Sequence, residues 1–433
     1  MTLTAALALA VFVVTYVVIA AEWVHRTMAA LCGAAAMVII GAVDAHAVFF
    51  SEDTGIDWNV IFLLFGMMVI VGVLRRTGVF EYLAIRSAQV AGGQPFRTMV
   101  TLVVITAVGS ALLDNVTTVL LIAPVTLLLC ERLALNPVPF LIAEAMASNI
   151  GGTATLIGDP PNIIIASRAD LSFNSFLVHL APIVVVLMVV FIGLCWLFWG
   201  RRLTSDPERA DAVLALEARE TIRDPRLLRI MLVLLLGVLV GFVTHTATGL
   251  DPSMVALLGA GAAVLLSRTS HQEYLEDVEW GTLLFFAGLF IMVGALVNQG
   301  IITDLAGYLS ERVDGQWLTA ALGLTAASAV LSGIIDNIPY VATMAPVVYD
   351  LVGPAPTAPP DQQSLWWGLA LGADLGGNAT AIGASANVVI IGIAARNGHP
   401  ITFWTFTKYG IVVTVVTMAV ALPYVALRYF TFA

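Results

Sequence analysis

Long apolar runs follow one another along most of the chain, and their length predicts membrane-spanning helices. A helix needs about 20 mostly apolar residues to cross the hydrocarbon core of a bilayer. Eight runs approach or reach this length with few charges: 2–20, 27–43, 59–74, 176–199, 229–246, 252–267, 280–297 and 406–427. The pattern is typical of an all-α polytopic membrane protein.

Four further stretches are apolar but carry polar residues near their centres. In 98–130 and 317–349 the polar residues interrupt the run once, so we expect each stretch to form a re-entrant helical hairpin. In 139–167 and 365–394 the interruption is rich in glycine, which predicts a broken span. Together with the eight runs, these stretches predict ten spans and two hairpins.

The second half of the sequence repeats the first. WNVIFLLFGMM at 58–68 is echoed by WGTLLFFAGLF at 280–290, and SALLDNVTTVLLIAPV at 110–125 by SGIIDNIPYVATMAPV at 332–347. SNIGGTATLIGDPPN at 148–162 is echoed by ADLGGNATAIGASAN at 373–387. We therefore predict a first transmembrane repeat (1–200), a cytoplasmic linker (201–228) and a second repeat (229–433). Because each repeat has an odd number of spans, five, the second is expected to be inverted, as in secondary transporters.

Composition narrows the function. Hydrophobic residues make up 60% of the chain and charged residues 11%, against about 25% charged in soluble proteins. This excludes a soluble enzyme, a nucleic-acid binder and a disordered chain. With the linker in the cytoplasm, most of the 19 basic residues lie on that side, as the positive-inside rule requires. We expect a multi-pass protein of the plasma membrane with both termini outside the cytoplasm.

Two Asp-Asn pairs lie at the centres of the hairpin stretches. Asp114-Asn115 and Asp336-Asn337 occupy equivalent positions, and Thr117 follows the first pair. Polar groups in a membrane interior are costly and usually functional. We predict that these residues bind substrate or ions, with the two aspartates as coupling charges. The alternative is that they only cap helices, which aspartate and asparagine do well.

A second motif, G-G-x-x-T-x-I-G-x-x-x-N, lies in each broken span. Its glycines let the backbone unwind and approach a ligand. Asp159 occurs only in the first copy, and Asp374 aligns with Asn149, so the predicted site is asymmetric. Glu144, one turn before Asn149, suits either a proton relay or a structural pair. The remaining predicted ligands are Gly151, Gly152, Thr155, Asn162, Gly376, Gly377, Thr380 and Asn387.

At these motifs the sequence resembles the ArsB/NhaD-type permeases of the ion transporter superfamily, particularly bacterial arsenite permeases and the melanosomal P protein. The resemblance is carried by LLDNVTTVLLIAPVTLLLCERL, IAEAMASNIGGTATLIGDPPNIIIAS and GIIDNIPYVATMAPV, and extends over essentially the whole chain. It implies arsenite or antimonite efflux coupled to protons, no cofactor beyond a proton or sodium ion, a homodimer, and a possible ATPase partner subunit. It also implies sodium ligands at Asn115, Gly151, Asn162 and at Asn337, Gly376, Asn387.

Sodium–dicarboxylate symporters of the same superfamily carry Ser-Asn-Thr at each hairpin tip. Here Asp114-Asn115-Val116 and Asp336-Asn337-Ile338 stand in those positions. The two added negative charges would repel a dicarboxylate, so a cation, a proton or a neutral metalloid hydroxide fits better. A sodium–proton antiporter and a passive channel stay open as alternatives. An intramembrane aspartyl protease needs two carboxylates that share a proton, which two hairpin tips suit poorly.

Overall fold

The computed structural model describes residues 2–431 except 22, 52–53, 202, 204–213, 215–216 and 268–270. All regular elements in this part of the chain are helical. The first half contains α1 (Leu3–Ala20), α2 (Arg26–Ile39), α3 (Ala47–Phe50), α4 (Trp58–Arg75), α5 (Val79–Val90), α6 (Pro95–Leu112), α7 (Asn115–Arg132), α8 (Val138–Gly152), α9 (Pro160–Ala169), α10 (Phe173–His179) and α11 (Ala181–Cys195).

After α11 the chain continues as one π-helical turn, Trp196–Gly200. The second half contains α12 (Pro225–Thr248), α13 (Pro252–Ser267), α14 (His271–Glu276), α15 (Trp280–Asn298), α16 (Ile301–Val313), α17 (Trp317–Ile334), α18 (Asn337–Val352), α19 (Pro360–Gly376), α20 (Ser385–Arg396) and α21 (Phe403–Phe430). Most of the predicted linker, and Glu52, Asp53 and Arg268, lie outside the described residues.

Nine helices among the described residues are long and apolar enough to cross a membrane: α1, α4, α6, α7, α11 with its π turn, α12, α15, α17 and α21. The prediction of an all-helical membrane protein is confirmed. Two predicted spans are shorter than a full membrane crossing: α2 has 14 residues and ends before the predicted boundary at 43, and α13 has the 16 residues predicted for it. Each packs along a longer partner, α2 against α15 and α13 against α4.

The helix breaks occur where polar residues interrupt the apolar runs. The chain turns at Leu113–Asp114 between α6 and α7, and at Ile335–Asp336 between α17 and α18. The broken spans separate into α8 and α9, and into α19 and α20, on either side of the glycine-rich motif. Three arms of the predicted hairpins, α6, α7 and α17, have 18 residues each. Each is therefore long enough to cross a membrane, whereas a re-entrant arm crosses only part of it.

The helices pack in two sets. The first, here the scaffold set, consists of α1, α2, α4, α12, α13 and α15, joined by the α4–α13 and α2–α15 contacts. The second, here the core set, consists of α6–α9 and α17–α20, joined by the α6–α8, α17–α19 and α9–α18 contacts. Every residue from Phe140 to Gly152 of α8 and from Ser364 to Gly376 of α19 is buried. The polar motifs therefore lie in the interior of the core set.

Candidate functional site

Two glycines allow the broken helices to touch the hairpin arms. A Cβ atom at Gly151 would lie 2.3 Å from the carbonyl oxygen of Ala107, and one at Gly376 would lie 2.5 Å from that of Ala329. Both distances are shorter than any normal carbon–oxygen contact, and a backbone oxygen cannot swing away. Only glycine permits α8 to approach α6, and α19 to approach α17, this closely.

Side chains of the motif hold the first helix break open. The Thr155 hydroxyl donates to the carbonyl oxygen of Ala111 at 2.6 Å. The Asn162 amide donates to the carbonyl oxygens of Thr155 at 3.1 Å and Gly152 at 3.4 Å. These bonds satisfy backbone groups that the unwound helix leaves without partners. The donors of Thr155 and Asn162 are therefore engaged within the protein.

The second break is held by the same bonds at the equivalent positions. The Thr380 hydroxyl donates to the carbonyl oxygen of Gly333 at 2.7 Å. The Asn387 amide donates to those of Gly377 at 2.8 Å and Thr380 at 2.9 Å. The two copies of the motif thus share their local hydrogen bonding as well as their sequence.

Asparagine side chains link the two halves of the protein at the centre. The Asn149 amide donates to the side-chain oxygens of Asn378 and Asn387, both at 3.0 Å. The Asn149 oxygen accepts from the Asn115 amide at 3.3 Å. All four residues are at most 2% exposed. Asn378 was not among the predicted ligands, although it lies inside the second motif and aligns with Thr153.

The hairpin-tip aspartates both cap helices. Asp114 accepts from the Thr117 backbone N–H at 2.7 Å, and Asp336 accepts from that of Ile338 at 3.0 Å. The capping alternative therefore has the required geometry. It does not account for Asp159, which is fully buried just before α9. The Asn337 amide is 3.4 Å from both oxygens of Asp159, so these contacts are weak.

Asp374 is the least satisfied of the buried acids. It is 0% exposed, and neither carboxylate oxygen has a hydrogen-bond partner among the described residues. Thr153 and Asn162 lie beside it. Their donors point to backbone carbonyls instead, since Thr153 donates to Asn149 at 2.9 Å. A carboxylate without donors in an apolar interior needs a proton or a cation.

Further unpartnered oxygens lie in the first copy of the site. The side-chain oxygens of Asn115 and Asn162 are buried and accept no hydrogen bond from the described residues. Asp374, Asp336 and Asp114 all lie within electrostatic range of Asp159. Carboxylate and amide oxygens are the ligands that hard cations prefer. The chemistry of this donor set favours a proton or a small cation over an anion.

Glu144 lies on the side of α8 that faces α7, apart from the aspartates and asparagines described above. Its Oε1 accepts from the Thr126 hydroxyl at 2.5 Å, and its Oε2 has no partner among the described residues. The structural pairing considered for this residue is therefore present on one oxygen only. The described residues contain no group of three or more His, Cys, Asp and Glu side chains arranged to hold a metal ion.

A cavity of about 460 Å³ reaches the edge of this cluster from the α1–α2 loop. Its polar lining residues are Tyr16, His25, Arg26, Asp336 and Ser385. Arg26 Nη1 is 3.2 Å from Asp336 Oδ2 and also donates to the Ser385 hydroxyl. Neither Arg26 nor Ser385 was among the residues predicted to bind substrate or ions.

Several known proteins are similar to this chain. Residues 16–372 match the model of a family described as CitMHS, citrate transporter. An uncharacterized transporter of Mycobacterium tuberculosis is 55% identical over 423 residues, which cover 98% of each chain. The human P protein is 36% identical over 502 residues, 96% of this chain and 59% of that protein. The YdaH transporter of Alcanivorax borkumensis shares the fold, with a TM-score of 0.58 and 14% identity over 90% of this chain and 87% of that chain.

Proposed function

The chain belongs to the CitMHS citrate transporter family, and from this premise we propose that it is a proton-coupled secondary transporter that exports a neutral metalloid hydroxide such as arsenite or antimonite. The family makes it a multi-pass membrane transporter rather than an enzyme. One observation carries the proposal of coupling: the fully buried carboxylate of Asp374, for which the described part of the chain supplies no hydrogen-bond donor. Such a group alternates readily between a protonated and a cation-bound or ligand-bound form.

A carrier suits the position of the site better than an open channel. Asp159, Asp374 and the asparagines bonded to Asn149 are buried, while Asp336 lines the cavity of about 460 Å³. Binding sites buried between broken helices and reached from one side at a time are typical of alternating access. A passive channel would need a continuous aqueous path through these residues.

The negative charge of the site favours some classes of substrate over others. Asp114, Asp159, Asp336 and Asp374 converge on the site, and Arg26 is the one basic residue that forms an ion pair with any of them among the described residues. Citrate, which the family description names, would enter this field with up to three negative charges and be repelled. A neutral hydroxide offers hydroxyl groups that can donate to carboxylates and accept from the amide of Asn378, whose Nδ2 has no partner among the described residues.

Sodium–proton exchange is the second candidate, because of the unpartnered oxygens of Asn115 and Asn162. The two oxygens and the nearby Asp374 carboxylate provide the kind of donor set that sodium uses. The homodimer, the ATPase partner subunit and the cytoplasmic position of the linker remain predictions. Light scattering on the purified protein in detergent tests the first of these.

The deciding experiment uses proteoliposomes with a pH-sensitive dye inside and an imposed pH gradient. Arsenite, sodium chloride and citrate are added in turn to the wild type, to Asp159→Asn, and to Asp277→Asn as a matched control. Asp277 is a buried acid paired with Arg75 and Arg76, away from the site. We expect an arsenite-triggered proton flux that Asp159→Asn abolishes and Asp277→Asn retains.

Each other outcome has a definite meaning. A proton flux triggered by sodium alone would make the protein a sodium–proton antiporter. Flux in response to citrate alone would refute the charge argument. Movement of an added ion down its own gradient, without any change in the pH gradient, would identify a channel.

A further inference from the structure

The ion pair at the mouth of the cavity is unlike the other polar contacts of the site. Arg26 Nη1 contacts both Asp336 Oδ2, at 3.2 Å, and the hydroxyl of Ser385, which itself donates to Asp336 Oδ2 at 2.8 Å. Each of the three groups contacts the other two, so they form a triangle of polar contacts with Asp336 Oδ2 at one corner. The side chains of Arg26 and Asp336 are 27% and 12% exposed, so ions in the cavity can reach them.

This triangle joins the two sets of helices. Arg26 begins α2 of the scaffold set, where its guanidinium also lies 5.3 Å from the ring centroid of Phe285 on α15. Asp336 caps α18 and Ser385 begins α20, both in the core set. The ion pair therefore ties a hairpin tip to the scaffold.

The other hairpin tip has no equivalent. None of the ion pairs found among the described residues includes Asp114, whose carboxylate accepts from the Thr117 backbone. The position of the second repeat that corresponds to Arg26 is Pro252, because RTMAALCGAAA at 26–36 aligns with PSMVALLGAGA at 252–262 and each segment begins a helix. The guanidinium is thus a cation supplied by the protein to one of two otherwise equivalent aspartates.

We propose that Arg26 determines cation specificity by occupying the position at Asp336 that a sodium-sized monovalent cation would take. The guanidinium and the cation exclude each other, because both require the same Oδ2 atom and its neighbouring Ser385 hydroxyl. A bound cation displaces Arg26 and releases the hairpin tip from the scaffold. Return of Arg26 expels the cation. This inference rests on the second candidate function, sodium–proton exchange, and names an internal competitor for the sodium ion.

The test measures sodium binding directly in the purified full-length protein. The midpoint of thermal unfolding is titrated with sodium chloride against choline chloride at constant ionic strength and fixed pH. Arg26→Gln removes the competitor, so we expect the half-saturating sodium concentration to fall by about fivefold, the factor that a partly exposed ion pair of about 1 kcal/mol implies. Arg26→Lys keeps a cation on the same helix and should stay close to the wild type.

Two further variants make the result specific. Arg75→Gln breaks an ion pair with Asp277 inside the scaffold set and should leave sodium binding unchanged. Arg26→Ala removes the same guanidinium and leaves Ser385 in place, so it should tighten sodium binding in the same direction if Arg26→Gln fails to fold. The maximal rate of transport should fall in Arg26→Gln, because nothing then expels the cation.

Equal half-saturating sodium in Arg26→Gln and Arg75→Gln would overturn the proposal, as would the absence of sodium stabilisation in every variant. Either result, together with proton-coupled flux by the wild type, leaves the proposed function standing. If the wild type itself shows no coupled flux, the proposed function is refuted, and this inference with it.

Discussion

The close approach of α8 to α6 predicts a large effect from adding one methyl group at Gly151. The added Cβ would lie 2.3 Å from the carbonyl oxygen of Ala107, about 1 Å inside normal contact distance. Because the oxygen belongs to a helix backbone, the two helices must separate. Overpacking of this kind costs about 1–3 kcal/mol of the free energy of unfolding.

A matched control removes the effect of helix propensity. Alanine is favoured over glycine in a helix by about 0.5–1 kcal/mol, which partly offsets the clash in Gly151→Ala. Gly193 lies in α11 with open space around its added Cβ. Gly193→Ala should therefore gain this preference without a clash. The difference between the two variants isolates the contact and should be about 1–3 kcal/mol.

Unfolding in mixed micelles by titration with SDS, followed by tryptophan fluorescence, gives the free energy of unfolding for each variant. Transport in proteoliposomes gives the second readout. Since Asn149 lies two residues before Gly151, separation of the helices should also lower the transport rate. Gly151→Ala as stable as Gly193→Ala would refute the reasoning. Gly376→Ala, with a 2.5 Å contact to Ala329, should resemble Gly151→Ala.

Two predictions concern other residues. Asp374→Asn should abolish coupled transport while raising the free energy of unfolding by about 1–3 kcal/mol, because a neutral amide replaces a buried charge that has no donor among the described residues; lower stability together with retained flux would contradict this. His179 ends α10, before the span α11, and burial, aided by Arg428, lowers its pKa to about 4. The unfolded chain takes up this proton below about pH 6.5, so stability should fall between pH 6.5 and 4. His179→Gln should flatten that dependence in melting experiments at graded pH.

Local chemistry made the helix breaks predictable. Glycine, proline and Asp-Asn pairs interrupt apolar runs wherever they occur, so the turns at Asp114 and Asp336 and the breaks in the two motifs could be placed from the sequence. The repeat also indicated which residues would behave alike, and Thr155 and Thr380 do make matching bonds. These features depend on neighbours within a few dozen residues.

The contacts between distant segments could not be predicted in this way. Asn149 bonds to Asn378 and Asn387, 229 and 238 residues further along the chain. Which of several buried amides meet depends on how the two repeats dock, and composition carries no record of that. Arg26 was not among the predicted site residues for the same reason, because its contact with Asp336 joins residues 310 positions apart. From the sequence alone, an arginine at the start of an apolar run cannot be distinguished from an arginine in a solvent-exposed loop.

The amide of Asn149 has a consequence for how a duplicated protein of this kind can be divided. Both of its N–H bonds are made to the second repeat, and its oxygen is occupied by the first. A single repeat inserted alone would leave these groups without partners in an apolar medium, where each costs several kcal/mol. Chains cut within 201–228 should therefore be stable only when both halves are synthesised together. Each repeat therefore supplies hydrogen-bond partners that the other needs within the membrane.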